Sequence, residues 1–260
     1  MSEPLEDGFL PDALKDALGQ ARSIGVITGA GVSAESGIQT YRGGGGLYDD
    51  PDEGDRTVEA LTFHTLETNP DLTWRTVGGL ARQVTGAQPN DAHRAIARLE
   101  ESAERFVLLT QNVDGLHQRA GSRNVIDIHG SINKTLCMSC DAEGELSFEA
   151  LAALVQSPRC QSCQGLLRPN AVLFGELLPI EKTLRLRREL HDDVPDIVIS
   201  AGTSALFPYI VEPLHVAVRL GKFTVDINPE ETALSEIAAV HLKGPAGHFF
   251  PAIADVYCCS

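Results

Sequence analysis

Five short apolar runs constrain this chain most: Ile24-Gly25-Val26-Ile27, Phe106-Val107-Leu108-Leu109, Val125-Ile126-Asp127-Ile128, Asp196-Ile197-Val198-Ile199 and Phe223-Thr224-Val225-Asp226-Ile227. Each meets a polar or glycine-containing turn, as a short buried strand does. Between them lie helix-like segments, at about residues 11–22, from Ala92 to Ser102 with Ala92, Ile96 and Leu99 on one face, and from Tyr209 to Leu220. Strand and helix alternate. That pattern predicts an α/β fold, a Rossmann-like, doubly wound parallel sheet with helices on both faces, whose ligands bind beyond the carboxyl ends of the strands.

Two stretches break the alternation. Residues Gly43 to Gln88 read as helix and loop, and Ser131 to about Leu167 hold four of the six cysteines. Both are assigned to an inserted smaller domain. The expected division is 1–42, 89–130 and 168–260 for a discontinuous Rossmann-like domain, with 43–88 as a helical module and 131–167 as a cysteine-bearing module. The run Gly43-Gly44-Gly45-Gly46 reads as a mobile loop.

Composition narrows the partners. With 260 residues, 43% hydrophobic and 22% charged, the chain has the make-up of an ordinary globular protein with room for a large core. A formal charge of −15 repels phosphate backbones and anionic lipid headgroups, so direct nucleic-acid and membrane binding are both disfavoured. A lysine-rich protein segment would be attracted, most strongly by Asp49 to Asp55 and Glu59, although a solvated acidic loop is the better explanation of that run. No stretch approaches the roughly 18 apolar residues of a membrane span. The acidic N-terminus lacks the basic, then apolar, pattern of an export signal, so a cytoplasmic location is expected. Cys258 stands third from the end, out of register with a prenylation box, and Cys258 and Cys259 are expected on a loose tail.

Three motifs carry chemistry. Thr28-Gly29-Ala30-Gly31-Val32-Ser33-Ala34-Glu35-Ser36-Gly37 follows a strand and precedes an expected helix. Its glycines would let a pyrophosphate approach backbone N–H groups at a helix start, but they serve a plain tight turn as readily. Cys137-Met138-Ser139-Cys140 and Cys160-Gln161-Ser162-Cys163, nineteen residues apart, have the spacing of a four-cysteine zinc site. Four thiolates close a tetrahedron, so such a zinc is structural and leaves no position for reacting water. Gln111-Asn112-Val113-Asp114-Gly115-Leu116-His117 follows the second strand, and His129-Gly130 follows the third. An imidazole there could take a proton from a sugar hydroxyl near neutral pH, although a lone histidine is more often structural.

Taken together and in order, these blocks resemble the sirtuin family. The resemblance rests on Gly29 to Arg42, Thr110 to Gly121, His129-Gly130 and the two cysteine pairs. It continues through Arg168-Pro169-Asn170-Ala171-Val172-Leu173-Phe174-Gly175-Glu176, Gly202-Thr203-Ser204 and Asn228-Pro229-Glu230, spanning about residues 20–250. It implies an NAD-dependent protein-lysine deacylase that yields free lysine, nicotinamide and O-acyl-ADP-ribose through an alkylimidate intermediate. His129 would then be the general base, with Asn112 and Asp114 holding the ribose and the nicotinamide amide, and Gln111 beside them. Gly29, Ala30, Gly31 and Glu35 match the phosphate and nicotinamide pocket. Tyr41 and Arg42 match a cofactor loop, Gly202, Thr203, Ser204, Asn228, Pro229 and Glu230 the phosphate and adenosine side, and Ala246 an adenine contact. Val172, Phe174, Gly175 and Glu176, with His129, match the edge where a substrate peptide adds as a strand.

Departures from the family pattern qualify this. Gln39 replaces a usual proline and Tyr41 a usual phenylalanine, which bears on loop stiffness. The desuccinylating branch of the family carries tyrosine and arginine where Val77 and Leu80 align here, so a dicarboxylic acyl group would be buried without a partner, at a cost on the order of 1 to 3 kcal/mol or more. Acetyl or a longer apolar acyl group is therefore expected. Gly78-Gly79 costs about 1 kcal/mol per glycine in a helix, so either the alignment is off by a residue or the helix breaks there. Two other readings stay open: NAD-dependent ADP-ribosyl transfer or NAD hydrolysis, which would use the same pocket, and a non-catalytic NAD-sensing module, which would not need Asn112, Asp114 and His129.

Overall fold

The computed structural model describes residues 9–40 and 50–259. Tyr41, Arg42 and the Gly43 to Gly46 run lie outside the described residues. The large sheet contains β1 (Ser23–Thr28), β2 (Arg105–Thr110), β3 (Val125–Asp127), β7 (Ile197–Ala201), β8 (Phe223–Ile227) and β9 (Val240–Leu242). It is parallel throughout, in the order β3-β2-β1-β7-β8-β9. The chain therefore builds outward from β1 in one direction, then returns to β7 and builds outward in the other. The switch point lies between β1 and β7.

The apolar runs are continuous because both faces of the sheet are covered. Ile24, Val26, Phe106, Leu108, Ile197 and Ile199 point into one core with Leu14, Leu18, Ile96, Leu99, Phe250 and Ile253. Those partners come from α1 (Asp12–Gln20), α5 (Asp91–Ser102) and α10 (Ala246–Cys258). The alternate residues Ile27, Val107, Leu109 and Val198 point the other way, against Leu186, Leu190, Ile210 and Leu214. That face is covered by α8 (Ile180–Arg187), the turn after it, and α9 (Pro208–Arg219). A short α6 (Leu116–Arg119) follows β2.

The second sheet is antiparallel: β4 (Gly130–Cys137) runs between β5 (Glu143–Glu145) and β6 (Leu167–Ala171). Against it pack α2 (Pro51–Ala60), α3 (Phe63–Thr68), α4 (Pro70–Val84) and α7 (Phe148–Ala152), around Leu61, Leu66, Trp74, Val77, Leu151 and Leu173. The Trp74 indole N–H, itself in the buried core, donates to the Leu167 carbonyl at 2.9 Å, tying α4 to β6.

Three expectations are corrected. The segment Thr28 to Gly37, expected to precede a helix, is itself helical: a 3₁₀ helix covers Ala30–Ser36 and is closed by Gly37 at φ 83°. Cys258 is not on a loose tail: it closes α10, and its thiol lies 3.1 Å from the Ser102 hydroxyl on α5. Nor does α4 break at Gly78-Gly79. A Cβ on Gly78 would lie 2.8 Å from the Leu151 carbonyl, so this glycine is what allows α7 to seat against α4, whereas Gly79 meets only the end of Arg82. Among the described residues no helix is long and apolar enough to cross a membrane.

Two predictions follow from this packing. Gly78→Ala should lower stability by about 1 to 3 kcal/mol through overpacking, while Gly79→Ala should raise it by up to about 1 kcal/mol; urea midpoints at constant m-value would show the opposite signs. The second concerns His93 and His117, both buried, with rings 4.7 Å apart. Burial lowers His93 to about 4, with help from Arg94, and holds His117 well below the ordinary value of about 6.5. The fold therefore needs both neutral, and their contribution is complete above about pH 6.5 and drains away as pH falls toward about 4. Unfolding free energies from urea titrations between about pH 7 and about pH 5 should fall by up to about 1.4 kcal/mol per pH unit per histidine. His93→Gln should flatten that slope; an unchanged slope would remove His93 from the account.

Candidate active site

Every polar motif begins one or two residues past the carboxyl end of a strand. Gly29 follows β1, Gln111 and Asn112 follow β2, His129 follows β3, Gly202 follows β7 and Asn228 follows β8. At the switch point the turns after β1 and β7 meet backbone to backbone. The Gly31 N–H donates to the Gly202 carbonyl at 2.9 Å, and Gly29 N–H donates to Ala201 O at 3.1 Å. A Cβ on Gly29 would lie 2.6 Å from the Gly202 oxygen, and one on Gly202, whose φ is 58°, would lie 2.5 Å from the Val32 nitrogen. The glycines are thus required both by the turn and by the contact.

A cavity of about 1130 Å³ opens at these strand ends and runs between the large sheet and the second one. Among the sequence-singled residues, Gly29, Ala30, Gly31, Glu35, Gln111, Asn112, His129, Val172, Phe174, Gly175, Glu176, Gly202, Thr203, Ser204, Asn228, Pro229, Glu230 and Ala246 all line it. Asp114 does not; it stands behind the wall. Tyr41 and Arg42 are outside the described residues. Val77 and Leu80 line the cavity beside Val58, Leu61 and Ile132, forming its apolar end.

Behind the wall runs a buried hydrogen-bond chain. Asn112 Nδ2 donates to the Gly29 carbonyl at 3.0 Å and to Ser33 Oγ at 3.2 Å, and Ser33 Oγ donates to Asp114 Oδ2 at 2.8 Å. Asp114 Oδ1 accepts the Leu116 N–H at 2.8 Å. Burial pushes the Asp114 carboxyl up, opposed by these two donors. On the other side, Gln111 Nε2 donates to Thr203 Oγ1 at 2.9 Å, and Asn228 Nδ2 to the Thr203 carbonyl at 2.9 Å. Ser33 has no role in the sequence patterns although it lies within the glycine motif. Its link to Asn112 and Asp114 spans 79 and 81 residues, so no local signal reveals it.

His129 sits with Nδ1 2.9 Å from the Gln111 carbonyl and Nε2 2.7 Å from the Tyr209 hydroxyl. A carbonyl can only accept, so Nδ1 carries the proton and Nε2 keeps its lone pair. Burial lowers the His129 pKa, with Lys182 adding to this and the Gln111 contact opposing it. The neutral, base-competent form is therefore favoured.

Two of the candidate carboxylates are already engaged. Glu35 accepts the Gly247 N–H at 2.7 Å at the start of α10, countering the orphan donors of that helix end. Glu176 accepts Arg168 through both oxygens at 2.7 Å and the Leu173 N–H at 2.8 Å, and its pKa is lowered against the effect of burial. Along the expected peptide edge, the Val172 N–H donates to the His129 carbonyl and the Phe174 N–H to the Leu61 carbonyl, each at 2.9 Å. No lysine or arginine lines the cavity among the described residues.

Away from the cavity, the four cysteine sulfurs lie within 4.8 Å of one another, with Cys137 3.5 Å from Cys163 and Cys140 3.7 Å from Cys160. A tetrahedral zinc with bonds of about 2.3 Å separates its sulfurs by roughly 3.8 Å, so the cluster fits one zinc ion.

Comparison with known proteins agrees with this geometry. A model of the Sir2 family matches residues 29–208. The NAD-dependent protein deacylase 2 of Pseudomonas aeruginosa is 43% identical over 242 residues, 92% of this chain and 94% of that protein. A crystal structure of a Sir2 homologue–NAD complex superposes with TM-score 0.83 at 38% identity, covering 97% of this chain and 96% of that one. A Sir2 protein solved with a deacetylated peptide and 3′-O-acetyl-ADP-ribose superposes with TM-score 0.81 at 29% identity, covering 94% and 97%. With its parallel sheet, the buried histidine at a strand end and the four-cysteine cluster on the page, these matches identify the lineage: the chain belongs to the Sir2 family.

Proposed function

We infer that this chain is an NAD-dependent protein deacylase, removing acyl groups from lysine side chains with release of nicotinamide and O-acyl-ADP-ribose. The observation that carries the reading is the tautomer of His129: an imidazole whose Nδ1 proton is fixed by the Gln111 carbonyl keeps its lone pair on Nε2, where it meets the Tyr209 hydroxyl at the wall of a cavity large enough for a dinucleotide. As general base, Nε2 takes a proton from a ribose hydroxyl when the acyl oxygen has displaced nicotinamide.

The other roles follow from what each side chain has left to offer. The Asn112 amide nitrogen is committed to Gly29 and Ser33, so its carbonyl oxygen is the end presented to a ribose hydroxyl. Asp114 acts as a positioning group, orienting Asn112 through Ser33. Gly29, Ala30, Gly31, Gly202, Thr203 and Ser204 would surround the pyrophosphate, whose charge is met by backbone N–H groups. Gln111, Glu35, Asn228, Pro229, Glu230 and Ala246 complete the NAD site, and Tyr41 and Arg42, which lie outside the described residues, join it on the resemblance alone. With the Val172 and Phe174 donors already used, an added peptide strand is held through their carbonyls and Gly175, and Glu176 serves by pinning this edge to Arg168.

The division of the chain into an NAD-binding domain (1–42, 89–130, 168–260) and a small domain (43–88, 131–167) is supported by the two sheets, with β4 and β6 as the strands that pass between them. The apolar end of the cavity at Val77 and Leu80, with Asp55 as a nearby lining carboxylate, supports acetyl or longer apolar acyl groups over dicarboxylic ones. The net charge supports a cationic, lysine-bearing segment as partner rather than nucleic acid or a membrane surface, and a cytoplasmic location rests on the sequence alone.

The test is mass spectrometry of products after incubation with NAD and acetyl-, succinyl- or long-chain-acyl-lysine peptides, beside His129→Ala. Apolar acyl groups should be lost with O-acyl-ADP-ribose formed, and the variant should be inactive. NAD consumption with every peptide untouched would instead indicate hydrolysis or ADP-ribosyl transfer. Leu80→Arg should raise succinyl over acetyl turnover by about tenfold, the effect of one charge-assisted hydrogen bond. For the metal centre, Cys160→Ser should lower bound zinc below one per chain and reduce the thermal midpoint while the histidine base stays intact; full zinc occupancy in that variant would refute the four-ligand assignment.

A further inference from the structure

Tyr209 touches the base directly, although no sequence pattern points to it. Its hydroxyl lies 2.7 Å from His129 Nε2. Because Nδ1 faces the Gln111 carbonyl, Nε2 of the neutral ring holds a single in-plane lone pair, and the phenol must be the donor to it. The tyrosine is held in place: it lies in the first turn of α9, its ring is stacked on Phe207 with centroids 5.4 Å apart and 17° between planes, and it stands edge-on to the imidazole at 83°. Burial holds the phenol up to about 12, so it keeps its proton across the working range of the enzyme.

One lone pair cannot accept two full hydrogen bonds. In the deacylase reading, on which this inference rests, that same lone pair must receive the ribose hydroxyl. We propose that Tyr209 is a latch on the general base: its hydroxyl occupies His129 Nε2 in the NAD-free enzyme and is displaced by a ribose hydroxyl when NAD binds. Tyr209 is thus a positioning residue that keeps the imidazole neutral and aimed while the site is empty, and in doing so weakens NAD binding. The proton balance is simple. The ribose O–H bond breaks, its proton goes to Nε2, and the imidazolium carries N–H on both nitrogens; Tyr209 neither gains nor loses a proton. The charged and titratable groups facing His129 are Tyr209 from α9 and Lys182 from α8, the latter paired with Asp127 at 2.8 Å. A change confined to the Tyr209 hydroxyl leaves the Lys182–Asp127 pair in place.

Tyr209→Phe deletes the hydroxyl alone and is compared with wild type and His129→Ala in the full chain. With the competing donor gone, KM for NAD should fall about three- to tenfold while kcat stays within about twofold, the range of one net hydrogen bond. A bond donated to the neutral imidazole favours that form, so deleting it raises the base pKa. The acid limb of kcat/KM should therefore move up by about half to one pH unit. In wild type, the ¹⁵N resonance of His129 Nε2 should change when ADP-ribose is added, and in NAD-free Tyr209→Phe it should shift toward that of an unbonded nitrogen; this readout remains if the variant proves poorly active. Unchanged KM and acid limb would overturn the latch, as would a drop in kcat above about tenfold at constant KM, which would put Tyr209 in the chemical step. A His129→Ala enzyme that keeps the wild-type rate would overturn the base assignment itself.

Discussion

The close approach of the Gly29–Gly31 turn to Gly202 is the contact on which the site depends. A doubly wound sheet leaves a crevice where its two halves diverge, and here β1 and β7 are hydrogen-bonded neighbours whose chains go on to helices on opposite faces, α5 and α9. At the foot of that crevice three glycine backbones meet where side chains would collide. From that point Asn112, Asp114 and His129 on one side, and Thr203 and Asn228 on the other, are spaced by strand separation alone.

The second sheet supplies what the first cannot. A parallel sheet offers polar groups at its strand ends but no deep apolar channel there. The insertion brings Leu61, Val77, Leu80 and Ile132 over the cavity, on a small core held by Trp74 and closed by the Gly78 contact with α7. The cysteine cluster lies at the far end of that module, where it fixes two turns without touching the reacting centre. The apolar end of the cavity and the His129 strand end consequently come from different parts of the chain.

Electrostatically several of the site's titratable groups are neutral or already engaged. Burial lowers the His129 pKa and favours its neutral form, Glu35 is capped onto a helix start, Glu176 is paired with Arg168, and Asp114 is bonded on both oxygens. An acidic protein can therefore accept a dinucleotide without presenting free carboxylates at every wall.

By itself, the sequence determined the strand runs, their alternation with helices and the zinc spacing, because each rests on local periodicity or on residues a few positions apart; the ordered motifs and the resemblance they carry named about half of the cavity wall. The strand-end rule then located the polar motifs. The tertiary structure decided the rest: the 3₁₀ turn after β1, the unbroken α4, and the docking of Cys258 on α5. It also decided the Ser33 bridge between Asn112 and Asp114 and the Tyr209 hydroxyl on His129, contacts that span 79 to 81 residues. Such pairings depend on how distant backbones approach, and a Gly78 that looks like a helix breaker in isolation becomes a packing requirement once the Leu151 carbonyl lies over it.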